Sequence, residues 1–110
     1  MDIAATARCL EALGNETRLE VYRILVRAGR EGLSVGDLQQ RTGVVRSTLS
    51  HHLQKLIGVG LISQRRDGTT LYCLANYDNL QAAMGFLASE CCADEGAHAP
   101  DRGKGASHAA

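Results

Sequence analysis

The chain has 110 residues with twelve basic and twelve acidic side chains, so its formal net charge is zero; aromatic residues make up 4% and Trp is absent. That length fits one domain with a thin core of Leu, Val, Ile and Ala, the kind of core that dimerisation often completes. Charges at Asp2, Arg8, Glu11 and Glu16, with no apolar run of about 18 residues, argue against a signal peptide or membrane span and lead us to expect a cytoplasmic protein whose four cysteines are reduced thiols.

Residues 3–13 read as a helix. Ile3, Ala7 and Leu10 form one stripe, and Ala5, Cys9 and Ala12 form a second face of small residues, so this helix is expected to pack against both its own domain and a partner. Asn15 caps a second helix, ETRLEVYRILVRAG, which ends at Gly29. In LSVGDL, Ser34 and Asp37 have capping-box spacing and Leu33 and Leu38 stand at staple positions. They predict a helix over 35–41, stopped at Thr42-Gly43. A GVV turn leads into RSTLSHHLQKLIG, where Leu49, Leu53, Leu56 and Ile57 share one face of a helix over 46–57. GVGLISQRRDGTTLYCLA reads as a hairpin. With Asp67-Gly68 as its two-residue turn, Arg66 pairs with Thr69, Arg65 with Thr70 and Ile62 with Cys73. A last helix, about 77–91, carries Leu80, Met84, Leu87 and Cys91 on one stripe. We expect a domain over 1–92 and a flexible tail over 93–110, where the sequence turns to Gly, Ala, His and Asp.

Charge is unevenly distributed. Between Gln39 and Tyr72 the basic residues Arg41, Arg46, Lys55, Arg65 and Arg66 face one acid, Asp67; from Asp67 to Asp101 there is no Lys or Arg. A basic middle suits a polyanion. Two short helices around a Gly-containing turn, then a basic hairpin, make a winged helix-turn-helix, mainly α with a β-hairpin wing. Ser47, Thr48, Ser50, His51 and Gln54 are the candidates for base edges in a major groove, with Arg46 and Lys55 for phosphates and Arg65 and Arg66 reaching from the wing.

The segments LEALGNETRLEVYRIL, LSVGDLQQRTGV, STLSHHLQKLIGVGLI and RRDGTTLYCL, spanning about residues 8–90, resemble the ArsR/SmtB family of bacterial metal- and thiol-responsive repressors. The resemblance implies a homodimer joined through the first and last helices. It also implies binding to an inverted-repeat DNA operator, with release when an inducer binds. One arsenic-sensing branch carries Cys-x-Cys where this chain has Ser34 and Gly36, and a zinc-sensing branch uses Asp and His on the last helix, where this chain has Asp78 but no His. A third branch, responsive to As(III) or Sb(III), carries adjacent cysteines at the end of the last helix, matched by Cys91 and Cys92. Where that branch has a third thiol, this chain has His98.

Trivalent arsenic and antimony favour thiolates, so Cys91 and Cys92 form the expected core of an inducer site. Their side chains are expected to diverge by about 100° on a helix, so that binding requires the last turn to fray. Cys9 of a partner subunit or His98 stands as a third ligand, and His98 with His108 as partners for a zinc or cadmium ion. Cys73 reads as a small buried hydrophobe. Three rival readings remain: a repressor of the same fold that senses oxidants or reactive sulfur through Cys91 and Cys92; with less support, a thiol enzyme such as a reductase, for which the sequence offers no nucleotide-binding fingerprint; and a constitutive DNA-binding or architectural dimer with no inducer.

Overall fold

Three helices begin at a side chain that accepts a backbone N–H. Asp2 Oδ1 takes the N–H of Ala5 at 2.8 Å, Asn15 Oδ1 that of Arg18 at 3.0 Å, and Ser34 Oγ that of Asp37 at 3.0 Å. Each satisfies a donor that a helix start leaves free. In the computed structural model, which describes residues 1–95, these starts open α1 (Ile3–Leu13), α2 (Glu16–Ala28) and α3 (Val35–Thr42). Two more helices follow, α4 (Arg46–Gly58) and α5 (Tyr77–Ser89). The order and bounds agree with the sequence reading, except that the last helix stops at Ser89 rather than near residue 91. Among the described residues no helix is long and apolar enough to cross a membrane.

The hairpin pairs β2 (Ile62–Asp67) with β3 (Thr70–Ala75) in a register that differs from the expected one. Asp67 pairs with Thr70, Arg65 with Tyr72, Gln64 with Cys73 and Ile62 with Ala75. The two turn residues are therefore Gly68-Thr69, not Asp67-Gly68. Gly68 has φ 66° and Thr69 is not among the residues with positive φ, so only the first central position is left-handed, as in a type II′ turn. Because the slip moves each pairing by two residues, every side chain keeps its face.

A third strand had no sequence signal of its own. Leu33–Ser34 forms β1 and pairs antiparallel with β3, Leu33 opposite Cys73 and Ser34 opposite Tyr72. The sheet order is β1-β3-β2, which ties the wing to the start of α3. Gly32 lets the chain enter this strand: its φ is 69°, and a Cβ there would collide with the carbonyl oxygen of Cys73.

The core is Val21, Leu25, Leu38, Leu49, Leu53, Leu56 and Leu61, with Tyr22, Ile62 and Cys73 beside them. On α1 the small face is the buried one, through Thr6, Cys9 and Ala12, while Ile3 and Leu10 stay exposed. On α5 only Ala83 is buried, and Tyr77, Met84 and Leu87 are exposed. The two helices that pack on each other thus both turn apolar side chains outward.

Gly32→Ala should destabilise the domain more than Gly43→Ala. Gly43 is also left-handed, at φ 72°, but has open space where a Cβ would go, so its substitution should cost about 1–2 kcal/mol. Thermal denaturation of the two variants checks the order.

Candidate nucleic-acid interface and thiol site

Burial of Leu49, Leu53 and Leu56 decides what α4 shows to solvent. With that face in the core, Arg46, Ser47, Thr48, Ser50, His51, Gln54 and Lys55 are all exposed. They offer hydroxyl, amide, imidazole and cationic groups, with no carboxylate among them. Val45 provides no side-chain cap, so the first N–H groups of α4 are left to solvent or to an incoming anion. Gly43 makes the turn into the helix, and Thr42 braces it by donating to Leu38 O at 2.8 Å and accepting from Val44 N at 3.2 Å.

The wing arginines separate. Arg66 lines a cleft of ≈ 450 Å³ together with Arg46, the start of α3 at Ser34–Gly36, and Thr69 and Thr70. Two guanidinium groups, hydroxyls and a helix start meet there, a set suited to a phosphate. Arg65 lies on the other face of the strand. Its guanidinium sits 5.0 Å from the centre of the Tyr72 ring and donates to Glu31 O at 3.4 Å, so it braces the wing against the turn after α2. The sequence reading grouped the two arginines; strand alternation divides them.

His52, next to His51, points inward and is half-buried. Arg18, on α2, reaches it: Nη1 lies 3.3 Å from His52 Nδ1, and Arg18 Nε donates to Ala12 O at 2.6 Å. Burial, then the charge of Arg18, then His51, hold the His52 imidazole below its ordinary pKa. Local sequence pattern does not predict this contact. Its one signal is that Arg18 occupies the apolar stripe of α2 with Val21, Tyr22 and Leu25.

At the other end of the chain, Cys91 and Cys92 are exposed and lie just past α5. The expected divergence on a helix does not arise. A run of turns, Cys91 N to Ala88 O, Ala93 N to Glu90 O and Glu95 N to Cys92 O, replaces the helix, and Cys92 takes φ 61°. That left-handed residue brings the two Sγ atoms to 3.2 Å. The hydrogen bond with Cys91, then the charges of Cys91 and Glu95, push Cys92 up to about 11.

The two remaining described cysteines, Cys9 and Cys73, are buried. Cys9 is buried in its own domain, its thiol 3.8 Å from Val59 O. Cys73 is fully buried, as expected, with Gln64 Nε2 3.5 Å from its sulfur, and burial raises its pKa. His98 and His108 lie outside the described residues. Among the described residues no group of three His, Cys, Asp or Glu side chains is placed to hold a metal ion.

The helix-turn-helix domain family matches residues 13–65. The chain is 35% identical over 82 residues to the uncharacterized HTH-type transcriptional regulator YceK of Bacillus subtilis, covering 74% of this chain and 81% of the relative. It is 36% identical to the nodulation protein NolR of Rhizobium meliloti (79% and 69% covered) and 35% identical to the arsenical resistance operon repressor of Bacillus subtilis (74% and 73%). Among solved structures, an ArsR-like transcriptional regulator from Rhodococcus sp. RHA1 superposes with a TM-score of 0.74 at 27% identity, covering 84% of each chain. A homodimeric winged helix-turn-helix DNA-binding domain from Mycobacterium bovis, titled a possible ArsR-family regulator, gives 0.64 at 29% identity, covering 81% and 82%.

Arg66→Ala should lower the slope of log affinity for duplex DNA against log salt by about one per subunit, the signature of a lost phosphate contact. Arg65→Ala should leave the slope near the parent's and lower the melting temperature instead. Anisotropy titrations across a salt series separate the two.

Proposed function

The chain belongs to the ArsR family of winged helix-turn-helix transcriptional repressors, and from that footing we propose that it binds an inverted-repeat operator as a homodimer and releases it when As(III) or Sb(III) binds Cys91 and Cys92. The observation that carries the inducer assignment is the thiol pair: two exposed sulfurs 3.2 Å apart, at the end of a helix whose outer face is apolar. They need no fraying to act as a bidentate ligand. The relative named for arsenical resistance supports the chemistry, while another relative is named a nodulation protein.

Proton accounting favours arsenous acid over a divalent cation. Two thiols and As(OH)₃ condense to a dithiolate As–OH with loss of two waters, so each thiol proton leaves with a hydroxide. Zinc must instead expel both protons to solvent. A pair whose second proton is held up to about 11 opposes zinc and leaves arsenous acid unaffected at neutral pH. The raised value also weighs against the second reading, oxidation of the pair to a disulfide, because sensor cysteines act as thiolates. The short sulfur separation is what favours that reading.

Exposed Ile3 and Leu10 on α1 and Met84 and Leu87 on α5 form the dimer face. A metalloid bridging Cys91 and Cys92 shifts the end of α5 and so alters the spacing of the two α4 helices. A typical coupling of ~1–3 kcal/mol changes operator affinity by roughly 5–150-fold.

Cys91→Ser and Cys92→Ser proteins should bind operator as the parent does but keep it when arsenite is added; release at the parent's arsenite concentration sinks the assignment. Between neutral and mildly alkaline pH, zinc binding by the parent should strengthen by about tenfold per expelled proton for each pH unit, while arsenite binding stays flat. Calorimetry at several pH values tests this. Met84→Glu should shift the protein toward monomer in sedimentation velocity, and an unchanged dimer would remove α5 from the interface.

A further inference from the structure

Arg18 is a cation in a place meant for a hydrocarbon. It is 8% exposed, and among the described residues the only ion pair is Arg23 with Glu20, elsewhere on α2. Its charge is met by dipoles instead. Nε donates to Ala12 O, in the last turn of α1, where helix carbonyls are unpaired and the helix end is negative. Nη1 meets His52 Nδ1 on α4. A guanidinium only donates, so Nδ1 of His52 must accept, and the neutral ring carries its proton on Nε2. One side chain on α2 therefore joins the end of α1 to the helix that bears Ser50, His51 and Gln54.

We infer that Arg18 is a positioning residue for operator recognition, clamping the end of α1 to His52 so that α4 is held at a fixed pitch relative to the dimer face. The inference rests on α4 being the DNA-reading helix. It explains why a buried arginine persists where Leu or Met would pack with no charge to desolvate. Leucine packing fixes which face of α4 is exposed; the clamp sets the pitch of that helix and touches no DNA itself. Its loss should therefore weaken discrimination between operator and unrelated duplex more than affinity for DNA in general.

The test uses the full chain with four substitutions: Arg18→Met, His52→Leu, the double Arg18→Met/His52→Leu, and His52→Asn. The last places an amide oxygen near the position of Nδ1. Operator affinity, affinity for unrelated duplex and melting temperature are measured for each. Arg18→Met and His52→Leu should each lower the specific-to-non-specific ratio by about tenfold, in keeping with one charge-assisted hydrogen bond. The double should be no worse than the poorer single, because the pair acts as one unit. His52→Asn should restore the ratio. Parental discrimination in His52→Leu, additive losses in the double, or failure of His52→Asn to rescue at a parental melting temperature overturns the clamp. Should Arg18→Met not fold, the His52→Leu and His52→Asn comparison decides. If the parent itself does not prefer operator to unrelated duplex, the reading of α4 falls, and the clamp's role falls with it.

Discussion

Leu49, Leu53 and Leu56 anchor α4 in the core, and the arrangement of the rest follows from that constraint. Each is 2% exposed or less, and burial of a leucine side chain is worth about 1.5–3 kcal/mol. Rotating the helix to bury any other face would forfeit several such terms and place Ser, His, Gln and Lys against hydrocarbon. The orientation of the polar face is thus fixed by packing before any ligand is present. The turn at Gly43 and the antiparallel pairing of β1 with β3 then set α3 and the wing around that helix.

The two ends of the domain have opposite chemistry. Around α3, α4 and the wing, cations and helix starts collect, with Arg46 and Arg66 sharing one cleft. Past α5, among the described residues, the sequence neighbours of the thiols include Glu90, Asp94 and Glu95, and none is basic. Anionic phosphate is drawn to the first region and repelled from the second. In the proposed function the thiol end would meet a neutral metalloid hydroxide, which needs neither a field nor a prior ionisation. The helices between these ends, α1 and α5, bury little of their outer surface within one chain, which in the proposed homodimer would leave them free to carry a signal between subunits.

Much of this was legible in the sequence because local rules decided it. Asn15, Ser34 and Gly29 act as caps where their identities say they should, and leucine spacing located the exposed face of α4. What failed were outcomes that depend on a competition the sequence does not price. Asp67-Gly68 and Gly68-Thr69 both satisfy a two-residue turn, and pairing of β3 with β1 at Leu33 belongs to the register with Gln64 opposite Cys73. The thiol pair was expected on a helix because Cys91 extends the Leu80/Met84/Leu87 stripe. Neither Leu87 nor Met84 is buried in one chain, so nothing in this domain holds the helix past Ser89. The clamp at Arg18 escaped because its two acceptors, Ala12 O and His52 Nδ1, lie six and thirty-four residues away.

The central claim is that the thiol pair and the DNA face are energetically linked. Linkage is reciprocal: if arsenite lowers operator affinity by some factor, operator must lower arsenite affinity by the same factor. The direct measurement is the dissociation constant of arsenite for the free protein and for the protein saturated with operator, at one salt concentration. The account predicts weaker arsenite binding in the presence of operator, by a factor equal to the loss of operator affinity at saturating arsenite. Equal arsenite affinity with and without operator would contradict it, leaving Cys91 and Cys92 a metalloid site with no say over DNA.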